Sequence, residues 1–139
     1  MGTTYNDSGY VTRQADGDIP KYSRVQRTAT GVAAAAAGDP TYGSLTRHAY
    51  APGIPISEGA DTTTQEDVTV KLANAPGTHF AIAAGAIPEG AEIEGAADGK
   101  VAVLDGGDPI GNCEEPGGAV APANGKNHVI QVYYYNQPV

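Results

Sequence analysis

The sequence predicts an all-β protein, a small antiparallel β-barrel or sandwich module preceded by an extended N-terminal arm with at most one short helix. Three observations predict it. Short apolar pulses alternate with polar residues at period two, the pattern of half-buried strands. Glycine- and proline-rich turn signals recur every 8–12 residues through the C-terminal half. No segment carries a long amphipathic helical stripe.

Two regions follow, an arm and connector over 1–66 and a β-rich module over 67–139. In the first, Pro20, Pro40, Pro52 and Pro55 interrupt the chain, and Tyr5, Tyr10, Tyr22, Tyr42 and Tyr50 are spread through it. Only "YSRVQRT" (22–28) alternates as a strand does. "TATGVAAAAAGDP" (28–40) reads either as a short helix near 29–37 or as a flexible small-residue linker. Ala33–Ala37 has high helix propensity with Gly38 as a stop, but the run is short. "APGIPISEGADTTTQED" (51–67) reads as an extended connector. In the second region "DVTVKLA" sets Val68, Val70 and Leu72 on one face, and "THFAIAAG" does the same for Phe80 and Ile82. "GAEIEG", "GKVAVL" and "NHVIQVYYY" complete the strand signals. Asp98-Gly99 in "ADGK" and Asn124-Gly125 in "PANGKN" offer tight hairpin turns, and "LDGGDP" (104–109) a longer one.

The composition is lean for a self-sufficient domain. Val, Leu, Ile and Phe together number 23 of 139 residues, and there is no Trp. Little apolar area is then available to offset the entropy of ordering 19 glycines. Part of the order is therefore expected to come from a partner or from self-association. The net charge of −8 is unevenly placed. Residues 1–50 carry five basic and four acidic side chains, including all four arginines, whereas residues 51–139 carry three lysines against twelve acids. An acidic C-terminal part repels polyanions, which argues against nucleic acid as its partner. No apolar run is long enough to cross a bilayer, and the first residues lack the pattern of a secretory signal. No membrane partner is expected.

Candidate chemistry is sparse. Asp105, Asp108, Glu114 and Glu115 invite a calcium reading, but their spacing matches no calcium loop, and solvated turn charges are the expectation. His48, His79 and His128 have no metal-ligand spacing. Thr78 and His79 point to opposite faces of a strand and make no nucleophile–base pair. Glu92 and Glu94 share a face without an aromatic cleft. The glycine-rich turns lack the Lys-Ser/Thr of a phosphate loop. Cys113, alone, reads as a small buried residue. No enzyme, metal or cofactor is expected. In "VYYYNQPV", Tyr133 and Tyr135 share one strand face and Tyr134 the other, either packed inward or exposed for self-association.

Residues 68–135 resemble the capsid cement, or head decoration, proteins of tailed bacteriophages. The resemblance is carried by an "APGT" turn at 75–78 and by "AAGAI", "GAEI" and "AADGKV" across 83–101. An "IG" at 110–111 and a closing "VIQV" strand at 129–132 complete it. It covers about half the chain. "NCEEPGGAVAPANGKN" (112–127) departs from the pattern by being longer and richer in proline, and residues 1–66 match no family. The resemblance implies a non-enzymatic virion protein on the outer capsid surface, assembled in the host cytoplasm. It implies cementing of neighbouring major capsid protein subunits, self-association as a homotrimer, and support of the shell. Arginine and tyrosine suit such contacts. The capsid-contact candidates are Tyr5, Tyr10, Arg13, Tyr22, Arg24, Arg27 and Arg47, and the self-association candidates are Tyr133, Tyr134 and Tyr135. The alternatives are a surface β-domain that binds glycan or a host surface, and a small hydrolase or metal-dependent enzyme.

Overall fold

The computed structural model describes residues 9–49, 67–120 and 128–135. These residues form ten strands and a single 3-10 turn, the all-β class expected. Strands β1 (Tyr10–Gln14), β2 (Arg24–Arg27), β3 (Val32–Ala34), β4 (Gly43–Leu45) and β5 (Asp67–Leu72) make one sheet in the order β1-β5-β4-β2-β3. Every neighbouring pair in it is antiparallel. Strands β6 (His79–Ala83), β7 (Glu92–Gly95), β8 (Val101–Val103), β9 (Gly111–Cys113) and β10 (His128–Tyr134) close a barrel in the order β10-β6-β8-β7-β9. The expected choice between barrel and sandwich is thus resolved. One pair departs from the antiparallel expectation. β6 and β8 run parallel at Ala83 and Val101, because β7 intervenes in sequence and takes its place on the far side of β8.

The extended character read into residues 1–66 is present in residues 10–45, but as paired strands. They do not lie free as an arm. β5 sits between β1 and β4, so the first structural unit draws its second strand from beyond residue 66. Its register is fixed by β5's alternation. Val68 and Val70 turn inward onto Ala15, Ile19, Val25, Val32, Leu45 and Ala49. The sheet curls until its outer strands meet, through a parallel bridge between Ala15 and Val32 and the Asp16 N–H donating to the Val32 carbonyl at 2.8 Å. A rolled sheet leaves little unpaired edge.

The helix offered for 29–37 is not formed. Val32 is fully buried in the core and β3 pairs with β2 from Val32 to Ala34. Burying that valine and completing the ladder outweigh the propensity of an alanine run too short to nucleate a helix. The run turns at Ala36–Asp39, where the Asp39 carboxylate accepts from the Ala36 N–H at 2.9 Å.

The second core collects Ile87, Ile93, Val101, Ile110, Ile130 and Val132 with small residues, including Cys113, which is buried. The Asp98-Gly99 turn joins β7 to β8, and both residues take left-handed φ, 59° and 73°. Its tip docks on the first unit, with the Gly99 N–H donating to the Ala35 carbonyl at 2.8 Å. A side chain at Gly99 would meet the backbone of Arg24. The Asn124-Gly125 turn lies outside the described residues.

Candidate interaction surface

Arg24 belongs to the fold and leaves the contact surface. Its side chain is fully buried, against the expectation that it meets a partner. It leaves β2 and enters the seam between the two units, where all five guanidinium donors find acceptors. Nε donates to the Lys100 carbonyl at 3.0 Å and Nη2 to Ala96 at 3.0 Å and Ala36 at 3.2 Å. Nη1 donates to Thr41 Oγ1 at 3.1 Å and the Asp39 carbonyl at 3.4 Å. None of these acceptors is a carboxylate oxygen. Burial lowers its pKa from the ordinary value, with Tyr134 and Asp39 opposing that shift.

Arg13 and Arg27 meet although β1 and β2 are not neighbours. Each sits two residues beyond a position packed on the first core, Val11 for Arg13 and Val25 for Arg27. Strand alternation therefore sets both on the face that carries these core residues, and the two come together at the open end beside the β2–β3 turn. There the guanidinium carbons stand 6.0 and 5.6 Å from the centre of the Tyr42 ring, within cation–π range. They border a cavity of about 320 Å³ that is also lined by the β2–β3 turn, Thr28–Gly31, and by Asp67 of β5. Asp16 at this end is engaged by the hydroxyls of Thr28 and Thr30. Among the described residues no carboxylate forms an ion pair with Arg13 or Arg27.

Tyr10 and Tyr22 gather elsewhere, around a cavity of about 240 Å³ at the seam, with Phe80, Lys71 and Thr78. The Tyr22 and Phe80 rings lie 5.0 Å apart and Lys21 Nζ stands 4.9 Å from the Tyr22 ring centre. Tyr22 holds a φ of 69°, uncommon for a bulky residue. That conformation turns its N–H to the Leu45 carbonyl at 2.9 Å. Phe80 and Ile82 share one face of β6, as the alternation of the sequence predicts, opposite Ala81 and Ala83 of the barrel core. Ile82 is buried, but Phe80 is 48% exposed and forms part of this surface. Arg47 donates to the Asp67 and His48 carbonyls, at 2.8 and 3.1 Å, on the same unit. Tyr5 lies outside the described residues.

The three C-terminal tyrosines divide as strand alternation requires. Tyr134 is buried, its ring 5.1 Å from that of His79. Burial pushes its phenol up to about 12. The hydroxyl has no regular hydrogen-bond partner, although Ser44 lies beside it. Tyr134 is thereby removed from the self-association candidates. Tyr133 and Tyr135 are exposed, edge to face at 6.4 Å. With Val129 and Phe80, which pairs opposite Gln131, they continue an outward row across β6 and β10.

The four acidic residues of the calcium reading separate into two pairs. Glu114 accepts from Asn112 Nδ2 at 2.8 Å and Glu115 from the Gln131 N–H at 2.9 Å. Asp105 and Asp108 line an open groove with Asp39 and Glu94, whose carboxylate accepts from the Gly107 N–H at 2.7 Å. Glu92 and Glu94 are thus engaged with turns and with Tyr135. Among the described residues no three His, Cys, Asp or Glu side chains are grouped to hold a metal ion. His48 pairs with Asp18 at 2.9 Å, His128 meets the Val120 carbonyl, and His79 is buried with its pKa lowered by desolvation and then by Lys71.

Charge follows the two units. In the described chain, residues 9–49 and 67–72 carry six basic and four acidic side chains, and the remainder one lysine against eight carboxylates. Neither a known family nor a curated protein matches the chain.

Proposed function

We propose that the protein is a structural virion protein that binds the outer surface of a phage capsid and cements neighbouring capsid subunits. The observation that carries this reading is the separation of two surfaces. The first unit presents Tyr10, Tyr22, Arg13 and Arg27, side chains of the types that anchor protein interfaces, and Phe80 of the barrel's β6 joins them at the seam, while the rest of the barrel presents carboxylates beside the tyrosine row of β10. A basic, aromatic face suits a protein lattice and an acidic face suits solvent. The resemblance of residues 68–135 to cement proteins supports the same reading. The contact residues are Tyr10, Arg13, Tyr22 and Arg27, joined by Phe80, and the row of Tyr133 and Tyr135 serves self-association as a homotrimer. A lean fold of this kind gains stability from any lattice that binds only its folded form.

The test is binding of the purified protein to expanded capsids of the phage whose genome encodes it. Saturable binding and a raised capsid disruption temperature are expected. Capsids left bare at micromolar protein would refute the reading. A glycan array that returns a specific ligand lost on Tyr133→Ala and Tyr135→Ala substitution would favour the surface-adhesion alternative.

A further inference from the structure

We propose that the open end of the first unit, where Arg13 and Arg27 flank Tyr42, is a carboxylate-binding site for an acidic segment of the partner protein. The inference rests on the contact surface described above and names its chemistry. Two guanidiniums converge on one ring at 6.0 and 5.6 Å. Their like charges repel, and although Asp67 lines the same cavity, no carboxylate among the described residues forms an ion pair with either guanidinium. Arg13 Nη1 donates to the Thr12 carbonyl at 2.9 Å, which steadies one fork and leaves its other donors for a ligand. The Tyr42 ring, itself packed on the core, gives both cations a fixed backing.

The neighbouring cavity of about 320 Å³ has room for one or two acidic side chains. Planar carboxylates match guanidinium forks in bidentate fashion. A phosphate also matches a fork, but a long polyanion is disfavoured. The protein as a whole carries −8, most of it on the closed barrel, and a nucleic acid strand would have to run close to that charge. A short acidic peptide segment meets the two arginines without that cost.

The probe is a hexaglutamate peptide, titrated by calorimetry into the full-length protein and followed by the Arg side-chain Nε–H resonances in NMR. Binding is expected to perturb Arg13 and Arg27, to weaken with added salt, and to fall at least tenfold in the Arg13→Gln/Arg27→Gln variant. The Arg13→Lys/Arg27→Lys variant keeps the charge and is expected to recover only part of the affinity. Unchanged melting temperatures in both variants separate binding from folding. No hexaglutamate binding at millimolar peptide, or equal binding by the Gln variant, overturns the site. Tighter binding of inorganic phosphate or a DNA oligomer overturns the choice of carboxylate. Capsid binding separates the two proposals. If the Gln variant coats capsids as well as the native protein, the site falls and the function stands. If hexaglutamate binds at these arginines while capsids stay bare, the function falls and the site stands.

Discussion

At the residue scale, the seam between the two units holds buried polar groups with contrasting outcomes. Arg24 satisfies every donor, whereas Ser44 Oγ, Tyr134 Oη and His79 Nδ1 are buried without hydrogen-bond partners. An unsatisfied hydroxyl offers little stability, so Tyr134→Phe is expected to change the free energy of unfolding at neutral pH by less than about 1 kcal/mol. Alkaline pH separates the two proteins. The folded phenol titrates at about 12, above its ordinary value of 10.0. Between these values the unfolded state ionises while the folded state resists. Stability conferred by the neutral phenol is therefore full below pH 10 and declines as pH rises toward 12, by about 2–3 kcal/mol in total. Urea unfolding from pH 9 to 12 is expected to show this slope in the native protein and a shallower one in Tyr134→Phe. Equal slopes would assign the alkaline loss to other groups.

At the element scale, barrel closure depends on one glycine. Gly111 pairs with Tyr134 across β9 and β10, and a Cβ there would overlap the Tyr133 carbonyl. Because the obstacle is backbone, Gly111→Ala is expected to force the strands apart and to destabilise the protein by at least about 2 kcal/mol, read by chemical denaturation. A cost under 0.5 kcal/mol would show that β9 yields. The elements legible in the sequence share a signature. β2, β5, β6, β7, β8, β10 and the Asp98-Gly99 turn each carry alternation or a dipeptide with preferred left-handed geometry. β1, β3, β4 and β9 carry no such alternation of large apolar side chains. β3 is nearly all alanine, β4 reads Gly-Ser-Leu and β9 Gly-Asn-Cys, so period two has too few large side chains to register. Their strand state comes from partners far along the chain. The candidate arginines were legible by type, but the burial of Arg24 was not. Two of its acceptors lie 72 and 76 residues away.

At the scale of the whole molecule, Arg24 ties the rolled sheet to the barrel through carbonyls of the β7–β8 turn. Native protein is expected to unfold in one cooperative calorimetric transition. Arg24→Met removes the donors and leaves the Ala96 carbonyl unpaired, while the Lys100 carbonyl keeps only the Ala96 N–H, so a melting temperature lower by at least about 5 °C or a split into two transitions is expected. An unaltered single transition would mean that other seam contacts, such as Tyr22 on Phe80, suffice for coupling. The same architecture makes a fragment from residue 67 onward a poor mimic of the barrel, since it exposes both sides of β5. Strand order also sets a timetable for synthesis. β1 cannot find β5 until residue 72 has left the ribosome, and the barrel cannot shut until β10 arrives at residues 128–134. For most of translation the nascent chain therefore carries open strand edges. Pauses before β10 leave one edge each of β6 and β9 unpaired, and chaperone demand should peak just before residues 128–134 emerge.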